Sequence, residues 1–129
     1  MSHSQADVEA IAAKVRTALE SADLDTFADL LDPDVRWGAG GDPSPPCRNR
    51  RQVLDWYRRG RAAGRRGHVS DVRVHNDKIL VSMKVTSGDA GDGAPEAEDR
   101  WQVLTVVDGR VVEIRGYDDE SEAVAAAGD

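Results

Sequence analysis

Along residues 100–119, RWQVLTVVDGRVVEIRGYDD, β-forming residues alternate on either side of Asp108-Gly109. An Asp-Gly pair between two such runs predicts a β-hairpin, because both central residues of a type I′ turn need φ > 0. Counting outward from the turn pairs Val107 with Arg110, Thr105 with Val112, Val103 with Ile114 and Trp101 with Gly116 on one face. Val106 with Val111, Leu104 with Glu113 and Gln102 with Arg115 share the other, a mixed surface suited to solvent or a partner subunit. A second alternating stretch, HVSDVRVHNDKILVSMKV over 68–85, turns at Asn76-Asp77. It pairs Val74 with Ile79, Val72 with Val81, Ser70 with Met83 and His68 with Val85 on a mainly apolar face. Asp71, Arg73, His75, Lys78, Ser82 and Lys84 fall on the opposite, wet face.

Before the hairpins the period changes from two to 3.6. Ser4 and Asp7 resemble a capping box, and Val8, Ile11, Val15, Ala18 and Leu19 share one face, predicting a helix over 5–21. Asp23 is placed to cap a second helix with a stripe of Leu24, Phe27, Leu30 and Leu31, ending at Asp32-Pro33. Val35 and Trp37 flank Arg36 in a short strand. Glycines and prolines between 38 and 46 then enforce an irregular loop that delivers Cys47 and Arg48 to a third helix. That helix, from Asn49 to Gly60 or Gly64, buries Val53, Trp56 and Tyr57. Residues 86–99 carry five carboxylates, three glycines and no apolar periodicity, predicting a mobile acidic loop. Residues 120–129 form an alanine-rich tail, either a last helical turn or frayed. The order of elements gives an α+β architecture with helices on one side of an antiparallel sheet.

Composition narrows the class. A chain of 129 residues suits one domain, 1–129, with a core that needs no disulfide or metal. No apolar run approaches the ~20 residues of a membrane helix, and the N-terminus lacks a signal-peptide pattern. With Cys47 as the single cysteine, the expectation is a soluble, cytoplasmic protein without an intrachain disulfide or a membrane partner. The net charge of −7 disfavours nucleic acid as a partner. Yet eight of the fourteen arginines lie within residues 48–66, which reads either as a solvated helix face or as a site for an anionic ligand or partner.

Four stretches, DLDTFADLLDPDVRW, CRNRRQVLDWY, DVRVHNDKILVSMKV and VVDGRVVEIRGYDD, together resemble the nuclear transport factor 2-like superfamily, and within it the SnoaL-like group. The CRNRRQVLDWY segment stands in place of that group's usual R-G-x-x-x-[IV] helix start. The resemblance implies a cystatin-like roll: a curved antiparallel sheet wrapped around the helices as a cone, with a central pocket and a homodimer through the outer sheet face. Its members include ketosteroid isomerases, epoxide hydrolases, polyketide cyclases, dehydratases and binding modules, so fold alone does not fix chemistry. Two departures matter. Trp37 stands where the isomerases carry a general-base Asp, and Arg115-Gly116-Tyr117 stands where the epoxide hydrolases carry R-D-Y.

Inside such a cone would lie Trp37, Cys47, Trp56, His68, Ser70, Met83, Trp101 and Thr105. The three tryptophans form either a flat wall for a ring or polyene ligand or simply core. His68 is the candidate for proton transfer near neutrality, against a structural role. Cys47 is a nucleophile only as a thiolate, which Arg48 and a helix N-terminus would favour, and otherwise a small buried thiol. Arg48 is also a candidate contact for an anionic substrate group. Asp42 and Asp118 are placed for turns or for a pocket mouth. No metal site is expected, since His68 and His75 fall on opposite faces of one strand, and no cofactor motif is present. Two functional readings follow. One is a small-molecule-binding protein with cofactor-free isomerase, cyclase or dehydratase chemistry on an apolar substrate; the other is a non-catalytic interaction module using the outer face or the arginine helix.

Overall fold

The computed structural model describes residues 5–21, 23–40, 47–62, 64–87 and 97–128. Helix α1 (Gln5–Ser21) and helix α2 (Leu24–Leu30) lead into strand β1 (Leu31–Ala39). Helix α3 (Arg50–Ala62) follows, then strands β2 (Arg65–His75), β3 (Lys78–Ser87), β4 (Ala97–Val107) and β5 (Arg110–Tyr117), and helix α4 (Glu120–Gly128). The strands make one sheet in the order β1-β5-β4-β3-β2. Both hairpins form as expected, but β1 pairs with β5 in parallel, so the sheet is mixed rather than wholly antiparallel.

Local chemistry explains the boundaries. Asp23 caps α2 by accepting from the Thr26 N–H at 3.1 Å and the Thr26 hydroxyl at 2.7 Å. Those bonds hold its carboxyl below the usual value. α2 stops at Leu30, earlier than Pro33 suggested, because Leu31 is already extended and pairs with Val111. Asn49 caps α3 through the Gln52 N–H at 2.9 Å, and Gly64, at φ 93°, ends the turn after it. Asp108 and Gly109 sit at φ 53° and 78°, the left-handed pair that the hairpin turn requires.

α1, α2 and α3 cover one face of the sheet. Their Val8, Ile11, Val15, Ala18, Phe27, Leu30, Val53 and Leu54 pack with Ile79, Val81, Met83, Leu104, Val106, Val111 and Ile114. The opposite face has a smaller cluster, in which Ala123 and Ala127 of α4 lie on Leu80 and Val103, flanked by Trp101 and Tyr117. The tail is therefore a nine-residue helix, started by the Asp119 carboxylate, which accepts from the Ser121 N–H at 2.8 Å.

Two β-bulges correct the expected register. In the β4–β5 hairpin the pairing runs Val106 with Val111 and then Thr105 with Glu113, leaving Val112 as the extra residue. Leu104 thus pairs with Ile114 and Trp101 with Tyr117. Leu104, Val106 and Val111 are core residues, not the outer face assigned to them from the alternation; Trp101, Val103 and Thr105 face away from that core. In the β2–β3 hairpin Ser70 is the extra residue, so His68 pairs with Lys84 and Gly67 with Val85. His68 and Ser70 are accordingly exposed, and Val69 is buried in their place. The strands also extend to Ser87 and resume at Ala97, shortening the expected 86–99 loop; its remainder, 88–96, lies outside the described residues, as do His3, Ser4 and Asp42.

Candidate functional site

The site begins with backbone pairing. The Trp37 N–H donates to the Cys47 carbonyl at 2.9 Å and the Cys47 N–H to the Trp37 carbonyl at 3.3 Å. This isolated antiparallel bridge draws Cys47 against β1 and sets where α3 begins. Gln52 then ties the helix start together: its side-chain oxygen accepts from the Arg48 N–H at 2.8 Å, and its carbonyl accepts from the Cys47 thiol at 3.6 Å. One turn on, residues 52, 55, 56 and 59 share a helix flank by their i, i+3, i+4, i+7 spacing.

That flank and Cys47 bound an open cleft of about 420 Å³, lined by Cys47, Gln52, Asp55, Trp56, Arg58 and Arg59. Its apolar wall is Trp56, which is backed by three further aromatic rings. Trp56 lies on Trp37 with ring centroids 4.0 Å apart and planes tilted 34°, and Tyr57 meets Trp56 edge-on at 5.2 Å and Phe27 at 5.3 Å. Four of the chain's six aromatic residues form this continuous stack. Its charged rim carries the Arg58–Asp55 pair at 3.4 Å and Arg59, which makes no ion pair among the described residues.

Behind the wall sits a buried polar group of three. The Tyr57 hydroxyl donates to the Gln102 side-chain oxygen at 3.4 Å, and Gln102 is buried on the core face of β4. Burial pushes the Tyr57 hydroxyl up to about 12, against the smaller opposing effects of Gln102 and the nearby Trp37 indole. The Trp37 N–H is itself buried without meeting hydrogen-bond geometry to any acceptor. Tyr57 therefore stays protonated throughout the physiological range.

The structure brings Cys47, Trp37 and Trp56 together and separates the other candidates. Met83 is packed in the core. Arg48 is exposed, and its one described bond is the backbone one to Gln52. His68 points to solvent beside Lys84, away from Cys47, so the two do not form a pair. Ser70 donates its hydroxyl to the Ser82 carbonyl at 3.0 Å, and Thr105 accepts from Lys78 Nζ at 2.8 Å, both off the core face. Trp101 belongs to the α4 cluster. Burial raises the Cys47 thiol, opposed but not reversed by the Arg59 charge, which is the opposite of the expected activation by Arg48. Arg58 and Arg59 belong to the arginine cluster that the sequence offered as a site for an anionic ligand or partner, whereas Gln52 and Asp55 were missed; their shared helical flank with Trp56 was the available signal. Among the described residues no three His, Cys, Asp or Glu side chains converge as metal ligands would.

Among curated proteins none matches this chain. Solved structures share its fold. A ketosteroid isomerase-like protein from Kribbella flavida is 24% identical with a TM-score of 0.70, over 85% of this chain and 76% of its own. An LEH-like epoxide hydrolase from M. tuberculosis is 19% identical with a TM-score of 0.67, over 95% and 90%. An uncharacterised cystatin-fold protein from Novosphingobium aromaticivorans is 17% identical with a TM-score of 0.71, over 86% and 97%. The family model of the SnoaL-like domain matches residues 12–114, most of the helices and all but the end of the sheet, and the chain belongs to that family.

Proposed function

We propose that this SnoaL-like protein binds a small organic molecule in the cleft beside α3, with Trp56, backed by Trp37, as its apolar wall. The observation that carries the reading is that stack, at 4.0 Å, backing a cleft of about 420 Å³ with polar groups at its rim. A concave, aromatic-walled site with a few convergent polar groups is what ligand pockets generally offer. The isomerase and epoxide hydrolase names of the structural relatives are in keeping with a small organic substrate. For proton transfer, the cleft offers Asp55 in the place the sequence had given to His68.

Tryptophan fluorescence tests the reading. Titration with steroid, polyketide, terpene and aromatic-acid compounds should give saturable quenching by one class, lost in Trp56→Phe and kept in Trp101→Phe, whose ring lies on the far side of the sheet. A flat response to every class, or equal loss in both variants, would sink it.

The same proposal keeps a cytoplasmic location, consistent with the free thiol of Cys47, and a homodimer through the outer side of the sheet. Supporting the latter are Val107 and Val124, 44% and 43% exposed, the exposed large hydrophobics among the described residues. Light scattering should read twice the chain mass for the wild type and one chain for Val107→Glu/Val124→Glu.

A further inference from the structure

The rim of the α3 cleft is not neutral. Arg58 and Arg59 face it with one carboxylate, Asp55, and Asp55 is already engaged by Arg58 at 3.4 Å. One guanidinium, that of Arg59, is left without an ion pair among the described residues. It lines the cleft together with Cys47, whose thiol its charge partly offsets against burial. The lining thus has a local positive balance within a chain whose net charge is −7. Gln52 adds a neutral donor. Its side-chain oxygen is held by the Arg48 N–H at 2.8 Å, which fixes the amide so that its NH₂ is the end left for a ligand. The buried Cys47 thiol, raised by burial, brings no competing negative charge.

Resting on the small-molecule reading above, we propose that the cleft selects small organic anions in which a planar ring carries a carboxylate. The ring lies against Trp56, and the carboxylate meets the Arg59 guanidinium with the Gln52 amide beside it. A guanidinium fork matches a carboxylate in two parallel hydrogen bonds, and an indole face accepts a flat ring without demanding a particular one. The adjacent Asp55–Arg58 pair makes the rim unfavourable to a cation, which would have to displace Arg58 to reach the carboxylate.

Three probes of one ring and different charge test this: 2-naphthoate, 2-naphthalenemethanol and 2-naphthylmethylammonium, titrated into the intact chain and followed by tryptophan fluorescence and calorimetry. The expected result is that naphthoate binds about tenfold or more tightly than the alcohol, and the ammonium compound least. Arg59→Gln should bring naphthoate down to the affinity of the alcohol and leave the alcohol unchanged. Arg51→Gln serves as the control, being an exposed arginine of the same helix outside the lining, and should retain the preference. Equal affinity for the three probes would overturn the anion selectivity while leaving the cleft as a binding site. An equal loss in Arg51→Gln and Arg59→Gln would overturn the assignment to Arg59, since it would reflect only the general field of the helix. Absence of binding by all three probes would overturn both this proposal and the small-molecule reading beneath it.

Discussion

At the scale of single residues, close packing and burial make two definite demands. Gly40 donates its N–H to the Gly116 carbonyl at 2.8 Å, and the Tyr117 ring occupies the space where a side chain at position 40 would begin. Gly40→Ala should therefore destabilise the fold by about 1–3 kcal/mol, as overpacking does. Chemical denaturation would check this, and Tyr117→Ala in the same chain should relieve most of the added cost, a non-additivity that marks direct contact. The second demand concerns Tyr57. Its hydroxyl is raised to about 12 in the fold from an ordinary value near ~10, so the folded chain keeps a proton that the unfolded chain gives up. Its contribution to stability is complete below pH ~10 and is lost as pH rises toward ~12, with a slope of at most about 1.4 kcal/mol per pH unit. Denaturation midpoints at pH 9 and pH 11.5 should fall further in the wild type than in Tyr57→Phe; an equal fall would show that the hydroxyl is not held as described. Residues such as these were half-legible. Trp56 and Cys47 were singled out by type, but nothing local marks Gln102 as the polar neighbour of Tyr57, 45 positions away.

Among elements, the bulges decide what faces what. Alternation located both hairpins and both turns, and it set the pairs nearest each turn correctly, because turn chemistry is local. In β2–β3 the extra residue Ser70 then inverted the assignment beyond it, because a strand has a period of two and a one-residue slip exchanges the faces; in β4–β5 Leu104 and Val106 form the core face from the turn onward, and the extra Val112 brings Ile114 round to join them. Ser70 carries no turn-like signature that would announce a bulge, and Val112 is as strong a β-former as its neighbours. Deleting Val112 would turn Ile114 outward and Glu113 and Arg115 toward the core. The expected result is loss of cooperative unfolding, read by the near-ultraviolet circular dichroism of the tryptophans; a native-like transition would mean the register can be reset. α4 makes a gentler case. It rests on the sheet through Ala123 and Ala127, and the bonds from Ser121 hold the Asp119 carboxyl below its usual value. That stabilisation is present above the ordinary carboxylate value and is lost as pH falls through the lowered one. Asp119→Ala should speed amide exchange across 120–128 at neutral pH while leaving the strands protected, and wild-type α4 should lose the same protection in acid.

For the whole molecule, two apolar faces on one sheet explain why the broad architecture could be read while the site could not. The order of helices and hairpins, and the stretches resembling a known family, carried the α+β roll, because periodicity records which elements exist. Helix-side residues such as Val15, Phe27 and Val53 are buried as their spacing demanded. What periodicity omits is association between distant segments: the parallel pairing of β1 with β5, and α4 closing over Leu80 and Val103. Both pairings join segments far apart in sequence, so no local pattern encodes them. The tryptophans are divided accordingly, two in the stack behind the cleft and Trp101 under α4. Selective replacement of Trp101 should change fluorescence without altering ligand response, whereas replacement of Trp56 should remove that response.

The bridge between Trp37 and Cys47 also bears on how such a scaffold can diversify. Because the pairing of Gly40 with Gly116 and the two Trp37–Cys47 hydrogen bonds hold the chain on either side, the number of residues between positions 40 and 47 is uncoupled from the register of β1 and from the start of α3. Loop-closure entropy grows only logarithmically, about 0.6 kcal/mol for each doubling of length. Segments of varied length and sequence can thus be spliced between positions 40 and 47 at little energetic expense, making that interval a graft point for libraries.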